Sequence, residues 1–279
     1  NFQFLKKHKE IEEIFADIEK VDQNFIEAIN KMNNLKSIKN TKSITSKEKM
    51  QELMLNEKFR EKYWHYVNLS LYKEGKPFYP KIFIEEEENK NIPEGTKELS
   101  TNKKISDINL PSSLIKLEYC YPSTQKMCIS HLYSESIKKV IIKQPLKYFN
   151  PIGLPNLEEL ICTKCEEAIN LSNFPKIKSA QINRVCGKAF TLENLIVTQT
   201  SKKDQLSKNF PNLSNLIINK TDGFGRTFLE FKKLKKLFVD DINCSSSFIN
   251  YLPSSLENYI GPCNVCFNKE IKKVTVNKA

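Results

Sequence analysis

From residue 108 onward the chain repeats one small pattern: an apolar residue, two variable residues, a second apolar residue, one variable residue and a third apolar residue. Nine copies align: Leu114/Leu117/Tyr119, Ile137/Val140/Ile142, Leu157/Leu160/Cys162, Ile177/Ala180/Ile182, Leu192/Leu195/Val197, Leu213/Leu216/Ile218, Leu234/Leu237/Val239, Leu256/Tyr259/Gly261 and Ile271/Val274/Val276. Their middle positions fall at 117, 140, 160, 180, 195, 216, 237, 259 and 274, so most steps are 20 to 23 residues and two are 15. The two short copies have either a minimal connection or a shifted alignment. Two apolar positions separated by one variable position have the period of a strand with one face inward. A strand this short cannot bury that face alone, so copies must stack side by side into a parallel sheet. An apolar anchor precedes many copies: Leu110-Pro111, Leu154-Pro155, Phe174-Pro175, Phe210-Pro211 and Leu252-Pro253, with Phe231 lacking the proline. Proline has no backbone donor, which suits it to the turn that leads into a strand.

The N-terminal part follows another rhythm. Over residues 2–32, Leu5, Ile11, Ile14, Phe15, Ile18, Phe25 and Ile29 recur with a helical period, charges lying between them. Thr45-Ser46-Lys47-Glu48 reads as a capping box that opens a second helix through Met50, Leu53, Met54 and Phe59. The aromatic cluster Tyr63, Trp64, Tyr66 and Tyr72 follows and is read as packing between this region and the first repeat. Glu85 to Glu88 begin a polar stretch with little apolar content, a loop or transitional unit. The expected organisation is a helical N-terminal cap over 1–79, a transitional segment over 80–107 and the repeats over 108–279.

These copies resemble the leucine-rich-repeat family, whose L-x-x-L-x-L-x-x-N/C pattern is best seen in Leu-Glu-Glu-Leu-Ile-Cys-Thr-Lys-Cys at 157–165. Leu110-Pro-Ser-Ser-Leu114 and Leu252-Pro-Ser-Ser-Leu256 look more like the related FNIP-type repeat. The resemblance covers about residues 108–277. It implies an α/β fold, a leucine-rich-repeat solenoid with a parallel β-sheet on its concave face behind an α-helical cap. The asparagine that usually forms a ladder at the turn of such repeats occurs once in this register, as Asn264, with Cys165, Val185, Thr221 and Ile242 in equivalent places. The N-terminal region is weakly similar to the F-box-like segments that precede leucine-rich repeats in ubiquitin-ligase adaptors, although it lacks their opening Leu-Pro.

Strand alternation also names an outward row. If the three apolar residues of each copy point inward, the residue between the second and third faces out, giving Glu118, Ile141, Ile161, Gln181, Ile196, Ile217, Phe238, Ile260 and Thr275. Six of these nine are large and apolar, more than a solvated sheet face should carry. Polar rows border it, with Lys116, Lys139, Glu159, Ser179, Asn194, Asn215, Lys236, Asn258 and Lys273 on one side. Lys143, Thr163, Asn183, Thr198, Asn219 and Asp240 stand on the other. An apolar stripe with polar borders has the anatomy of a protein interface. Ile141, Ile161, Ile196, Ile217, Phe238 and Ile260 are therefore the candidate protein-binding residues. Isoleucine placed there for β-propensity, or a cap helix covering the row, would give the same pattern.

Composition adds exclusions. The net charge of +11 would attract polyanions. The lysines are scattered, however, with Lys138-Lys139, Lys202-Lys203, Lys232-Lys233 and Lys235-Lys236 the densest pairs, so a solvated face is expected rather than a nucleic-acid site. No segment has the apolar length of a membrane span, and residues 1–10 are charged rather than a secretory apolar core. Cys162-Thr-Lys-Cys165 and Cys263-Asn-Val-Cys266 have zinc-ligand spacing, but the repeat places Cys162 and Cys266 at inward positions about five units apart, so no metal is expected. The eight cysteines are read as reduced thiols of a cytoplasmic, intracellular protein. His8, His65 and His131 are dispersed, and Asp222-Gly-Phe-Gly225 is only superficially similar to a kinase metal-binding turn. No enzyme activity and no cofactor are expected. The expected function is a non-catalytic module that binds a protein partner; the alternatives are a ubiquitin-ligase substrate adaptor and an extracellular adhesion or receptor ectodomain.

Overall fold

A computed structural model describes residues 5, 10–42, 46–69, 81–84, 91–102, 108–120, 127–200, 205–221, 226–242, 252–261 and 273–276. The chain forms two compact units, Asn1–Leu114 and Ile115–Ala279. Both are α/β and rich in strands, with few helices.

The first unit alternates strands and helices: β1 (Glu13–Ala16), α1 (Gln23–Asn30), β2 (Ser37–Asn40), α2 (Lys47–Met54) and α3 (Glu57–Lys62). Three further strands follow, β3 (Val67–Asn68), β4 (Lys81–Ile84) and β5 (Glu98–Thr101), the last two within the stretch read as transitional. β1 pairs parallel with β2, and β3, β4 and β5 pair parallel in chain order. Each helix opens on a side-chain cap. Asp22, Ser46 and Asn56 accept hydrogen bonds from the amides of Phe25, Lys49 and Phe59 at 3.1, 3.1 and 2.9 Å. The cap of α2 is thus Ser46, one residue later than the capping box expected from Thr45, which lies outside the described residues.

The helical period over residues 2–32 needs correction. Among the described residues of this stretch only Gln23–Asn30 is α-helical, burying Phe25, Ala28 and Ile29 on one face. Glu13–Ala16 is a strand: Ile14 and Ala16 point inward, while Phe15, counted in the helical stripe, is 64% exposed. Ile14-Phe15 satisfies both periods over so short a window, and Ser37–Asn40 supplies the backbone partner that decides between them. The aromatic cluster divides as well. Tyr63 is buried and stacks on Phe59 at 5.2 Å, whereas Trp64 is 59% exposed, with the Lys39 and Lys81 ammonium groups over its ring at 5.4 and 5.1 Å. Tyr72 lies outside the described residues.

The second unit begins with β6 (Lys116–Tyr119), β7 (Met127–Ile129), β8 (Lys139–Ile142), β9 (Leu146–Phe149), β10 (Glu159–Cys162) and β11 (Ile169–Asn170). It continues with β12 (Ser179–Ile182), β13 (Val185–Cys186), β14 (Asn194–Thr200), α4 (Leu206–Asn209) and β15 (Asn215–Thr221). Last come β16 (Lys236–Ile242), β17 (Asn258–Gly261) and β18 (Lys273–Val276). β6, β8, β10, β12, β14, β15, β16, β17 and β18 pair parallel in that order. Each of the nine copies found in the sequence is therefore one strand. The middle apolar residues form one ladder from Leu117 through Val140, Leu160, Ala180, Leu195, Leu216, Leu237 and Tyr259 to Val274. Short strand pairs, β7 with β9 and β11 with β13, form separate two-stranded sheets.

The short copies are in register, since Ala180 pairs with Leu195 and Tyr259 with Val274. In the first of them the connection turns at Gly187, whose φ of 79° suits glycine and whose lack of a Cβ leaves room for the Asn170 side chain. The copy Leu256/Tyr259/Gly261 has a different compensation. Tyr259 is buried where other copies carry Leu, Val or Ala, and a Cβ on Gly261 would lie 2.5 Å from its hydroxyl oxygen, so the glycine makes space for the larger ring.

Burial pushes the Tyr63 phenol up to about 12, against a smaller lowering from its hydrogen bond with Asn40. The folded chain keeps this proton above pH 10, where the unfolded chain loses it. Its stabilising contribution is therefore complete below pH 10 and declines between pH 10 and 12. Denaturant unfolding at pH 9 and pH 11.5 should show a loss on the order of 1–2 kcal/mol larger for the parent chain than for Tyr63→Phe. Equal losses would show that Tyr63 ionises as freely folded as unfolded.

Candidate functional site

The outward residues of the second unit form a ladder of their own. Glu118 pairs with Ile141, Ile141 with Ile161, Ile161 with Gln181 and Gln181 with Ile196. The ladder continues Ile196, Ile217, Phe238, Ile260 and Thr275. The row read from alternation is thus one continuous in-register line, and Ile141, Ile161, Ile196, Ile217, Phe238 and Ile260 are all half-buried, while the residues before and after each are the fully buried core.

The line is not uniform along its length. Ile196, Ile217, Phe238 and Ile260 floor a groove of about 610 Å³, with Asn194, Asn215, Asn258 and Lys236 on its wall. Ile141 and Ile161 stand outside it. Their part of the face carries closed ion pairs: Lys139 to Glu159 at 2.8 Å, and Glu118 to Lys143 at 2.5 Å and to Lys116 at 3.9 Å. The Glu118 carboxylate raises the Lys143 ammonium above its ordinary value by hydrogen bonding to it. Around the groove the polar wall is made of three asparagine amides and Lys236, with Asn215 donating to Asn194 at 2.5 Å. On the opposite flank Thr198 is half-buried, and Asn219 and Asp240 are exposed.

One flank residue acts differently from its sequence reading. Asn183 donates from Nδ2 to the Cys165 carbonyl at 2.8 Å, which links neighbouring copies at the turn after the strand. That is the work expected of the turn asparagine, performed two residues before the aligned position at Val185. Period alone could not reveal it, because Asn183 sits where an outward polar residue is also expected.

Cys162 and Cys165 are both buried. The hydrogen bond with Cys165, and then burial, push the Cys162 thiol up, the same hydrogen bond lowers the Cys165 thiol, and Cys162 packs as part of the inward ladder. Cys263 and Cys266 lie outside the described residues, as do His8, Asn264 and residues 222–225. Among the described residues no group of three His, Cys, Asp or Glu side chains is placed to hold a metal ion, and no helix is long and apolar enough to cross a membrane. His65 lies beside Tyr63 at 5.6 Å between ring centres, and His131 is exposed in the second unit.

Compared with known proteins, the chain matches no family model, no curated protein and no solved structure.

The two faces of one strand make a direct comparison. Leu216 is 1% exposed in the inward ladder and Ile217 is its outward neighbour. Leu216→Ala should cost about 2–5 kcal/mol in urea unfolding, and Ile217→Ala less than about 1 kcal/mol. The reverse order would overturn the assignment of the faces.

Proposed function

We propose that the chain is a non-catalytic protein-binding module of the leucine-rich-repeat type, a solenoid that docks a partner on the outward face of its parallel sheet. The observation that supports it is the in-register apolar line over the groove of about 610 Å³, where Ile196, Ile217, Phe238 and Ile260 are half-buried inside polar borders. Large apolar residues at the centre of a patch, walled by hydrogen-bonding groups, exclude water from the centre and leave orientation to the rim. Phe238 is the anchor of this reading, since aromatic residues carry a disproportionate share of interface energy. Ile141 and Ile161 extend the face but not its groove. The site is proposed to work in a reducing intracellular compartment, where Cys120, Cys128, Cys162, Cys165 and Cys186 are free thiols.

The full chain should be used as bait in an extract of the cells that make it, beside Ile217→Asp, Phe238→Asp and, as a variant on the same line outside the groove, Ile141→Asp. At least one protein should be retained by the parent chain and by Ile141→Asp and fall about tenfold or more with both groove variants, which a hot spot of about 2 kcal/mol or more would produce. Retention unchanged in the groove variants, with their unfolding transitions intact, would end the proposal.

A further inference from the structure

The lysines of the second unit are used in two different ways. Among its first strands four close on carboxylates, Lys138 and Lys178 at 3.4 and 2.7 Å from Glu158, Lys139 at 2.8 Å from Glu159 and Lys143 at 2.5 Å from Glu118. Lys147 and Lys164 are in no ion pair among the described residues, and Lys176 donates to the Asn156 side-chain oxygen at 2.6 Å. At the groove the ion pairs end. Lys232, Lys233, Lys235 and Lys236 flank Leu234 at the start of β16, and all four are exposed. Among the described residues none of the four is in an ion pair; Lys233 donates instead to the Asn212 side-chain oxygen at 2.7 Å.

Their position is defined by the strands. Lys236 lines the groove beside Phe238, together with Asn194 and Asn215. One residue earlier on the same three strands, Glu193, Ser214 and Lys235 line a second depression of about 640 Å³, which Lys178, Lys232 and Lys233 also border. Glu193 is the single carboxylate on that lining among the described residues. The edge at the strand starts therefore carries four lysines against two carboxylates, Glu193 and Glu257, and is net positive, while Asp240 stands on the opposite flank. The Glu257 amide donates to the Lys235 carbonyl at 2.9 Å. Four like charges within five residues repel one another and raise the local positive potential, which an acidic partner would relieve.

We propose that the groove takes an acidic, apolar polypeptide segment, with its apolar side chains over Ile196, Ile217, Phe238 and Ile260 and its carboxylates against Lys232, Lys233, Lys235 and Lys236. This rests on the docking reading above and adds the chemistry of the partner. Three inter-strand steps separate Ile196 from Ile260, roughly 14 Å at the usual strand spacing, which an extended segment covers with apolar side chains at three alternate positions. The wall supports a polypeptide over a nucleic acid. Its asparagine amides offer both donors and acceptors to a peptide backbone, whereas single-stranded nucleic acid is held on aromatic platforms, and three of the four floor residues are isoleucine.

The test is selection of a displayed library of random 12-residue peptides on the immobilised full chain, followed by fluorescence anisotropy with one enriched peptide synthesised and labelled. Enriched peptides should carry apolar residues at alternate positions and an excess of Asp and Glu. Binding should weaken about tenfold or more with Phe238→Asp. It should weaken comparably with Lys235→Glu combined with Lys236→Glu, but less than twofold with Lys147→Glu combined with Lys164→Glu, and it should fall as salt rises from 50 to 300 mM. Peptides that need Phe238 but show no acidic excess and ignore the reversal at 235 and 236 would overturn this inference and leave the docking reading standing. If no selected peptide depends on Phe238, both fall. A single-stranded 20-nucleotide oligouridylate that binds more tightly than the peptides, and is lost on the same lysine reversal, would also overturn it in favour of a nucleic acid.

Discussion

The second unit depends on one constraint: a strand of four residues has two inward side chains and a backbone that needs partners on both edges. Neither need is met within one copy. Leu160 is sealed only because Val140 and Ala180 lie beside it in the same phase, and its strand is bonded on both edges by theirs. Complete burial of such a side chain contributes about 1.5–3 kcal/mol, so the ladder is a sum of small, identical, mutually dependent terms. A one-residue slip anywhere would bring the outward line inside and expose the leucines. Parallel pairing in constant phase is thus both the source of stability and the reason that a continuous outward line exists at all, since the geometry that stacks Leu195, Leu216 and Leu237 also stacks Ile196, Ile217 and Phe238.

That dependence explains what could be read in advance. The nine ladder strands of the second unit were legible because each copy states the same inward positions, so a weak member such as Leu256/Tyr259/Gly261 is carried by its neighbours. The short strands β7, β9, β11 and β13 follow no repeated pattern and were not legible. That the Gly261 gap accommodates the Tyr259 ring could be seen only in three dimensions. The first unit offers no such redundancy. Ile11, Ile14, Phe15 and Ile18 fit a helix by spacing, and the decision for a strand came from Ser37–Asn40, a partner more than twenty residues away that local period does not contain. The outward line was legible for the same reason as the core, yet its division into a groove and a flat stretch was not, because that depends on which charges close on one another across strands.

Charge follows the register too. The residue just before the middle polar row reads Lys138, Glu158, Lys178 and Glu193 on successive copies, and Lys178 holds the Glu158 carboxyl below the usual carboxylate range, followed by Lys138. These pairs are solvent-exposed, where each contributes little. Their alternation nonetheless disfavours a skipped copy, which would set lysine beside lysine. Ser214 interrupts the alternation, which resumes with Lys235 and Glu257 beside the groove.

β-propensity alone accounts for isoleucine on an outward strand position, and it would account for the whole line if the neighbouring row were equally suited to strands. It is not. Asn194, Asn215 and Asn258 occupy the first positions of β14, β15 and β17, and asparagine is among the residues strands disfavour. The amide pair between Asn215 and Asn194 recovers part of that cost, but Asn258 has no such pair to Lys236, its neighbour in register. A row that is poor for the strand yet rich in donors and acceptors, set beside four half-buried apolar side chains, is not accounted for by the needs of the sheet alone.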